Sequence, residues 1–134
     1  MRLLVVVCCW ALAPIGNLWA QSADPESIYH VVEEIPEFPG GEDSLAIFLG
    51  RHIRYPVADR KNKTEGVSYI QFVIEKDGSI SNVAVLSDKE GLATMAMHTE
   101  AMRVIANMPK WKPGKQRGHF VRCSLTIPIR FKLR

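Results

Sequence analysis

The most regular alternation of apolar and polar residues lies near the C-terminus. From 121 to 131 every odd position is apolar (Val121, Cys123, Leu125, Ile127, Ile129, Phe131), and Arg122, Ser124, Thr126, Pro128 and Arg130 hold the even ones. A period of two marks a half-buried strand. Pro128 has no N–H to give to a ladder, which puts this strand at a sheet edge or a bulge. Further upstream, two β-rich runs in residues 66–87 flank Asp77-Gly78. That dipeptide is a strong hairpin signal, because a two-residue turn of this kind needs positive φ at both positions. With Asp77 and Gly78 as the loop, Ile70 faces Val85 and Phe72 faces Val83, and these four form the predicted core face. The opposite face carries Val67, Tyr69, Val73 and Leu86, so the first hairpin strand reads as central and largely covered.

Two stretches carry the helical period instead. Leu45, Phe48, Leu49 and Ile53 recur at helical spacing after Pro39-Gly40-Gly41, with Glu42 and Asp43 in the first turn, where they suit the helix dipole. Tyr55-Pro56 closes this helix, since the residue before proline is pushed out of the α region. Residues 59–65 read as a charged connection. Met97, Ala101, Val104, Ile105 and Met108 form the stripe of a second helix, with the methionines as core filler, and Pro109 stops it. Lys112-Pro113-Gly114-Lys115 matches a type II turn. The order helix, strand, strand, helix, strand predicts a small α+β domain over 42–134: a three-stranded antiparallel sheet, hairpin plus edge strand, packed against two helices.

Charge changes this picture by linking the two ends. Residues 21–43 hold seven acidic and no basic side chains, and residues 101–134 hold nine basic and no acidic ones. An acidic arm over 21–41 is therefore expected to fold back over the basic C-terminal face, with Ile28, Tyr29, Val31 and Val32 to dock it. Residues 1–20 read as a secretory signal: Arg2, an apolar run from Leu3 to Ala13, a break at Pro14-Ile15-Gly16-Asn17, and cleavage after Ala20 into the periplasm. The alternative is a retained inner-membrane anchor on the periplasmic side. The apolar run falls short of the ~20 residues that span a bilayer. Cleavage would leave Cys123 as the sole cysteine and exclude an intramolecular disulfide.

No constellation calls for catalysis, a metal or a cofactor. His30, His52, His98 and His119 lack metal-ligand spacing, and no Cys-x-x-Cys is present. Cys123 alternates into the apolar face of its strand with no activating base, and no phosphate loop or nucleophile elbow occurs. Basic residues around Trp111, from Lys110 to Arg117, superficially suit a single-stranded nucleic acid platform. A solvated loop on a buried tryptophan is the reading preferred, with no nucleic acid as partner.

Six phrases then join up in order: Ile-Pro-Glu-Phe-Pro-Gly-Gly-Glu (35–42), Tyr55-Pro56, Gly66-Val67, Phe72-Val73-Ile74 with Lys-Asp-Gly-Ser-Ile (76–80), Met-Pro-Lys-Trp-Lys-Pro-Gly-Lys-Gln-Arg-Gly (108–118) and Pro128-Ile129-Arg130-Phe131. Together they resemble the C-terminal domain of the TonB family, in the form common among Bacteroidetes-type bacteria, over about residues 31–134. The resemblance implies a non-catalytic periplasmic module that grips a short extended segment, the TonB box, of a TonB-dependent outer-membrane transporter. A chain retained in the membrane would instead act as a short transducer, coupled to an ExbB/ExbD-type motor. A homodimer stays open. On this chain the expected partner-binding residues are the edge-strand positions Phe120, Val121, Arg122, Cys123, Ser124, Leu125, Thr126 and Ile127, which would template an added strand. Arg122 and the basic loop at Lys112, Lys115 and Arg117 are expected to steer acidic residues that flank the partner segment.

Overall fold

The structure, a computed structural model, describes residues 26–86 and 92–133. The signal-segment reading of residues 1–20 and its cleavage site lie outside the described residues.

The long strands follow the alternation that predicts them. β2 (Gly66–Ile74) and β3 (Ile80–Val85) form the hairpin. β5 (His119–Phe131) pairs antiparallel with β2 in an unbroken register, from Gly66 opposite Phe131 to Ile74 opposite Cys123. The even positions of β2 and the odd positions of β5 therefore share one face, and Ile70, Phe72, Ile74, Cys123, Ile129 and Phe131 are buried on it.

Around these strands the architecture departs from the expected three strands and two helices. Among the described residues the sheet has five strands, curled and mixed, in the order β1-β5-β2-β3 with β4 also on β5, and three helices accompany it. The additional elements are short: β1 (Ile28–Tyr29) runs parallel to β5, β4 (Gly114–Gln116) pairs antiparallel with it, and α2 (Val57–Lys61) is a five-residue helix. None spans enough residues to print a period on the sequence. Tertiary neighbours hold each of them. The α2 residue Asp59 is buried and accepts a hydrogen bond from Thr94 Oγ1 at 2.7 Å, where residues 59–65 read as a mere connection.

The turns also differ from expectation. Only Gly78 has positive φ at the β2–β3 tip, Glu75 N–H donates to the Ser79 carbonyl, and a bulge between Gln71 and Val73 shifts the register. Ile70 still faces Val85, while Val73 now faces Ser81. The tip is thus a longer loop closed by one left-handed glycine. Pro113-Gly114 makes no type II turn, because Gly114 belongs to β4; the tight turn lies at Arg117 and Gly118, whose φ values are 52° and 78°.

The helices cover the buried face. α3 (Met95–Ala106) buries Met97, Ala101, Val104 and Ile105, and the Thr94 side chain caps it by accepting from the Met97 N–H. α1 (Glu42–His52) buries no residue fully, but Leu45, Phe48 and Leu49 pack on the core margin. Trp111 is 6% exposed and stands between Phe38 and Phe72, with ring centroids at 5.6 and 5.8 Å.

Candidate functional site

The acidic N-terminal arm lies on the basic C-terminal strands, and backbone pairing fixes it there. Glu34 and Lys115 exchange both backbone hydrogen bonds, as do Glu37 and Lys112. Glu33 Oε2 accepts from the Arg117 N–H at 3.2 Å, and Ile28 and Tyr29 lie beside Arg122 and Cys123. Val31 takes no part in the docking; it is exposed.

This arm changes what β5 has to offer. Of the eight edge positions singled out above, Phe120 and Val121 pair with β4, and Arg122 and Cys123 with β1. Ser124, Leu125, Thr126 and Ile127 pair with β2 alone among the described residues.

The direction of their backbone groups follows from one hydrogen bond. Tyr69 accepts from the Leu86 N–H at 2.8 Å, so its backbone groups point toward β3. In an antiparallel ladder a residue turned away from its partner strand faces one that is also turned away. Pro128, opposite Tyr69, therefore points its backbone to the free edge, where its missing N–H costs the β2–β5 ladder nothing. By the two-residue period, Ser124 and Thr126 also turn their N–H and C=O groups outward; the parallel register of Tyr29 beside Cys123 takes up the Ser124 N–H, which leaves the Ser124 C=O and both Thr126 groups. Pro128 ends that row of donors.

Beside this edge runs an apolar groove of about 430 Å³. Leu125, Thr126 and Ile127 form one wall, Ile35 to Phe38 with Leu45 the other, and Trp111 and Glu42 also line it. Leu125 and Ile127 face the core side yet stay partly exposed, because no further strand among the described residues lies beyond them. The sequence singled out none of the arm residues in this wall. The rigid Ile35-Pro36-Glu37-Phe38-Pro39 phrase was the available signal: a segment that holds one buried aromatic between two prolines is built to position something.

The predicted basic residues are already engaged. Arg122 donates from Nε to Glu75 Oε1 at 2.8 Å and from Nη1 to the Glu26 carbonyl at 3.0 Å. That guanidinium holds the Glu75 carboxyl below its ordinary range. The Lys115 ammonium sits over the Phe120 ring at 4.9 Å, Arg117 occupies the β4–β5 turn, and Lys112 is held at the backbone by Glu37.

The remaining chemistry-bearing groups do not assemble. Burial pushes the Cys123 thiol up, away from the reactive range. Ser68 Oγ lies 2.7 Å from His98 Nδ1, but Ser68 is fully buried and the two form no part of the groove. No cluster of His, Cys, Asp and Glu able to hold a metal is present among the described residues. Among those residues no helix is long and apolar enough to cross a membrane.

Comparison with known proteins agrees with the fold and its phrases. No curated protein matches the chain. Two solution structures of the Helicobacter pylori TonB C-terminal domain are similar in fold. One has a TM-score of 0.51 at 22% identity, covering 72% of this chain and 87% of that one. The other has a TM-score of 0.48 at 22% identity, covering 69% and 95%. The family model described as the Gram-negative bacterial TonB protein C-terminal matches residues 51–133, which take in β2, β3, α3, β4 and β5, and the chain belongs to that family.

Proposed function

We propose that this chain is an exported periplasmic module that binds an extended segment of a TonB-dependent outer-membrane transporter, or of another envelope protein, by adding it as a strand to β5 beside residues 124–127. Domains of this family are non-catalytic binding modules. The observation that carries the reading is the outward Ser124 C=O and the outward Thr126 N–H and C=O, left without a strand between the arm and Pro128 among the described residues. Such an edge templates another extended chain, and main-chain bonds supply its affinity.

One N–H and two C=O groups make this a short ladder. At about 0.5–1.5 kcal/mol net per hydrogen bond they contribute roughly 1.5–4.5 kcal/mol. Association costs about 4–15 kcal/mol. Backbone pairing alone therefore gives weak binding, suited to a contact that must let go.

The probe is a synthetic peptide copying the periplasm-facing N-terminal segment of an outer-membrane transporter. Amide shifts are expected along residues 124–127, and Thr126→Pro should abolish binding at every salt concentration, because it removes an outward donor. Reversing Lys112, Lys115 and Arg117 should mainly slow association and flatten its salt dependence, since these charges lie at the rim. Shifts confined to the helices would refute strand addition.

A further inference from the structure

The groove beside the β5 edge says what the added strand must carry. It touches three consecutive β5 residues, whose side chains alternate between the two faces of the sheet, so it abuts the strand's backbone edge itself. It also opens on the face to which Leu125 and Ile127 point, where a neighbouring strand would direct every second side chain. Its walls are Phe38, Leu45, Trp111, Leu125 and Ile127, with Ile35 at the outer lip, 74% exposed. Among the described residues the only charged groups that line it are Glu37 and Glu42, both at the exposed rim. Trp111 adds an independent sign: its indole N–H is buried and has no acceptor among the described residues. The ring is held by packing alone, and a buried donor without a partner is a rare feature in a native structure.

We infer that the groove is a specificity subsite for the added strand, one that takes a single bulky aliphatic or aromatic side chain of the partner segment and, through Glu37 and Glu42, disfavours an acidic residue beside that anchor and favours a basic one. The occupant is an extended segment of a partner protein, and the inference rests on the strand-addition reading above. Continuity with the free edge places the anchor: a residue of the added strand opposite 125–127 with its side chain on the core side enters the groove without leaving the ladder. Burying a Leu- or Phe-sized side chain supplies the affinity that three backbone groups lack. The carboxylates act at the rim, so their effect is smaller and falls with salt.

The test uses the full chain and nine-residue Thr/Val host peptides whose central residue is Leu, Phe, Thr or Asp, flanked by Lys or by Glu. Leu and Phe guests should bind about tenfold or more tightly than Thr. They should also move the Trp111 indole N–H resonance, which the Thr guest leaves in place. Ile35→Glu changes an exposed residue at the lip and should narrow the gap between Leu and Thr guests without unfolding the chain. The double variant Glu37→Lys with Glu42→Lys should invert the preference for Lys over Glu flanks, by about threefold each way. If all guests bind equally while amide shifts still run along 124–127, the subsite is wrong and strand addition stands. If no guest peptide shifts residues 124–127, strand addition itself fails and the subsite with it.

Discussion

Gly78→Ala tests the contact that ties the hairpin to the β4 loop. Gly78 has a φ of 88°, and its carbonyl accepts from the Trp111 N–H at 2.9 Å. A methyl group there would sit 2.1 Å from the Trp111 carbonyl oxygen, which is backbone and cannot swing aside. Gly118 is the matched control, with a φ of 78° and nothing within 4 Å of an added Cβ. A left-handed conformation costs a non-glycine residue roughly 1–2 kcal/mol, and the stiffer unfolded chain returns about 0.4–1. Gly118→Ala should therefore cost about 0.5–1 kcal/mol. Gly78→Ala adds the lost hydrogen bond, about 1 kcal/mol, and partial withdrawal of a tryptophan whose complete removal costs about 3–5. The expected total is about 3–4 kcal/mol, a large share of a small domain's stability. Urea unfolding reads the difference as a shift in midpoint at constant slope. If the two variants lose the same stability within about 0.5 kcal/mol, the close approach of Gly78 to Trp111 does not organise the loop.

Trp111→Ala should cost about 3–5 kcal/mol by emptying the space between Phe38 and Phe72; an unchanged denaturation midpoint would make the residue a surface contact instead. Cys123→Pro should lower the midpoint strongly, since that residue pairs inward with Ile74, whereas Thr126→Pro should leave the fold largely intact and abolish peptide binding; equal destabilisation by both would overturn the assigned parity. Glu75 gives the pH dependence. Its carboxyl is held below its ordinary value of 4.5, so its stabilisation is present above that pH and is lost as pH falls through the folded value. Glu75→Gln should remove about 1 kcal/mol at neutral pH and flatten the acid limb of a stability profile, and Glu100, lowered in the same way by Arg103, keeps part of that limb. An acid limb unchanged by Glu75→Gln would show that the Arg122 pair contributes nothing to stability.

Local pattern was enough for the elements that carry their own period. The alternation of β5 named its buried residues and put Cys123 inward; the stripe of α3 named Met97, Ala101, Val104 and Ile105; the charge imbalance anticipated that the arm would lie on the basic end. These follow from the chain itself, because a two- or 3.6-residue period leaves only one face to bury. The free edge was legible only in part. Its strand was readable, but neither the parity of its outward groups nor the boundary at 124 was, since the parity follows from the tertiary bond of the Leu86 N–H to Tyr69 and no period shows in the two residues of β1 that cover Arg122 and Cys123. β4 was hidden for a different reason: Pro113-Gly114 is turn chemistry locally, and Gly114 suits this strand because a Cβ there would come tightly, at 3.3 Å, against Glu34 and Pro36, which lie about eighty residues away in sequence. The groove was hidden in the same way, since its two walls come from residues 35–45 and 125–127. What the sequence by itself determined was which residues go inward and which chain ends attract. Which backbone groups stay unpaired, and what stands beside them, only the tertiary structure decided, because an edge is defined by the strand that is missing next to it, and no local preference encodes an absent neighbour.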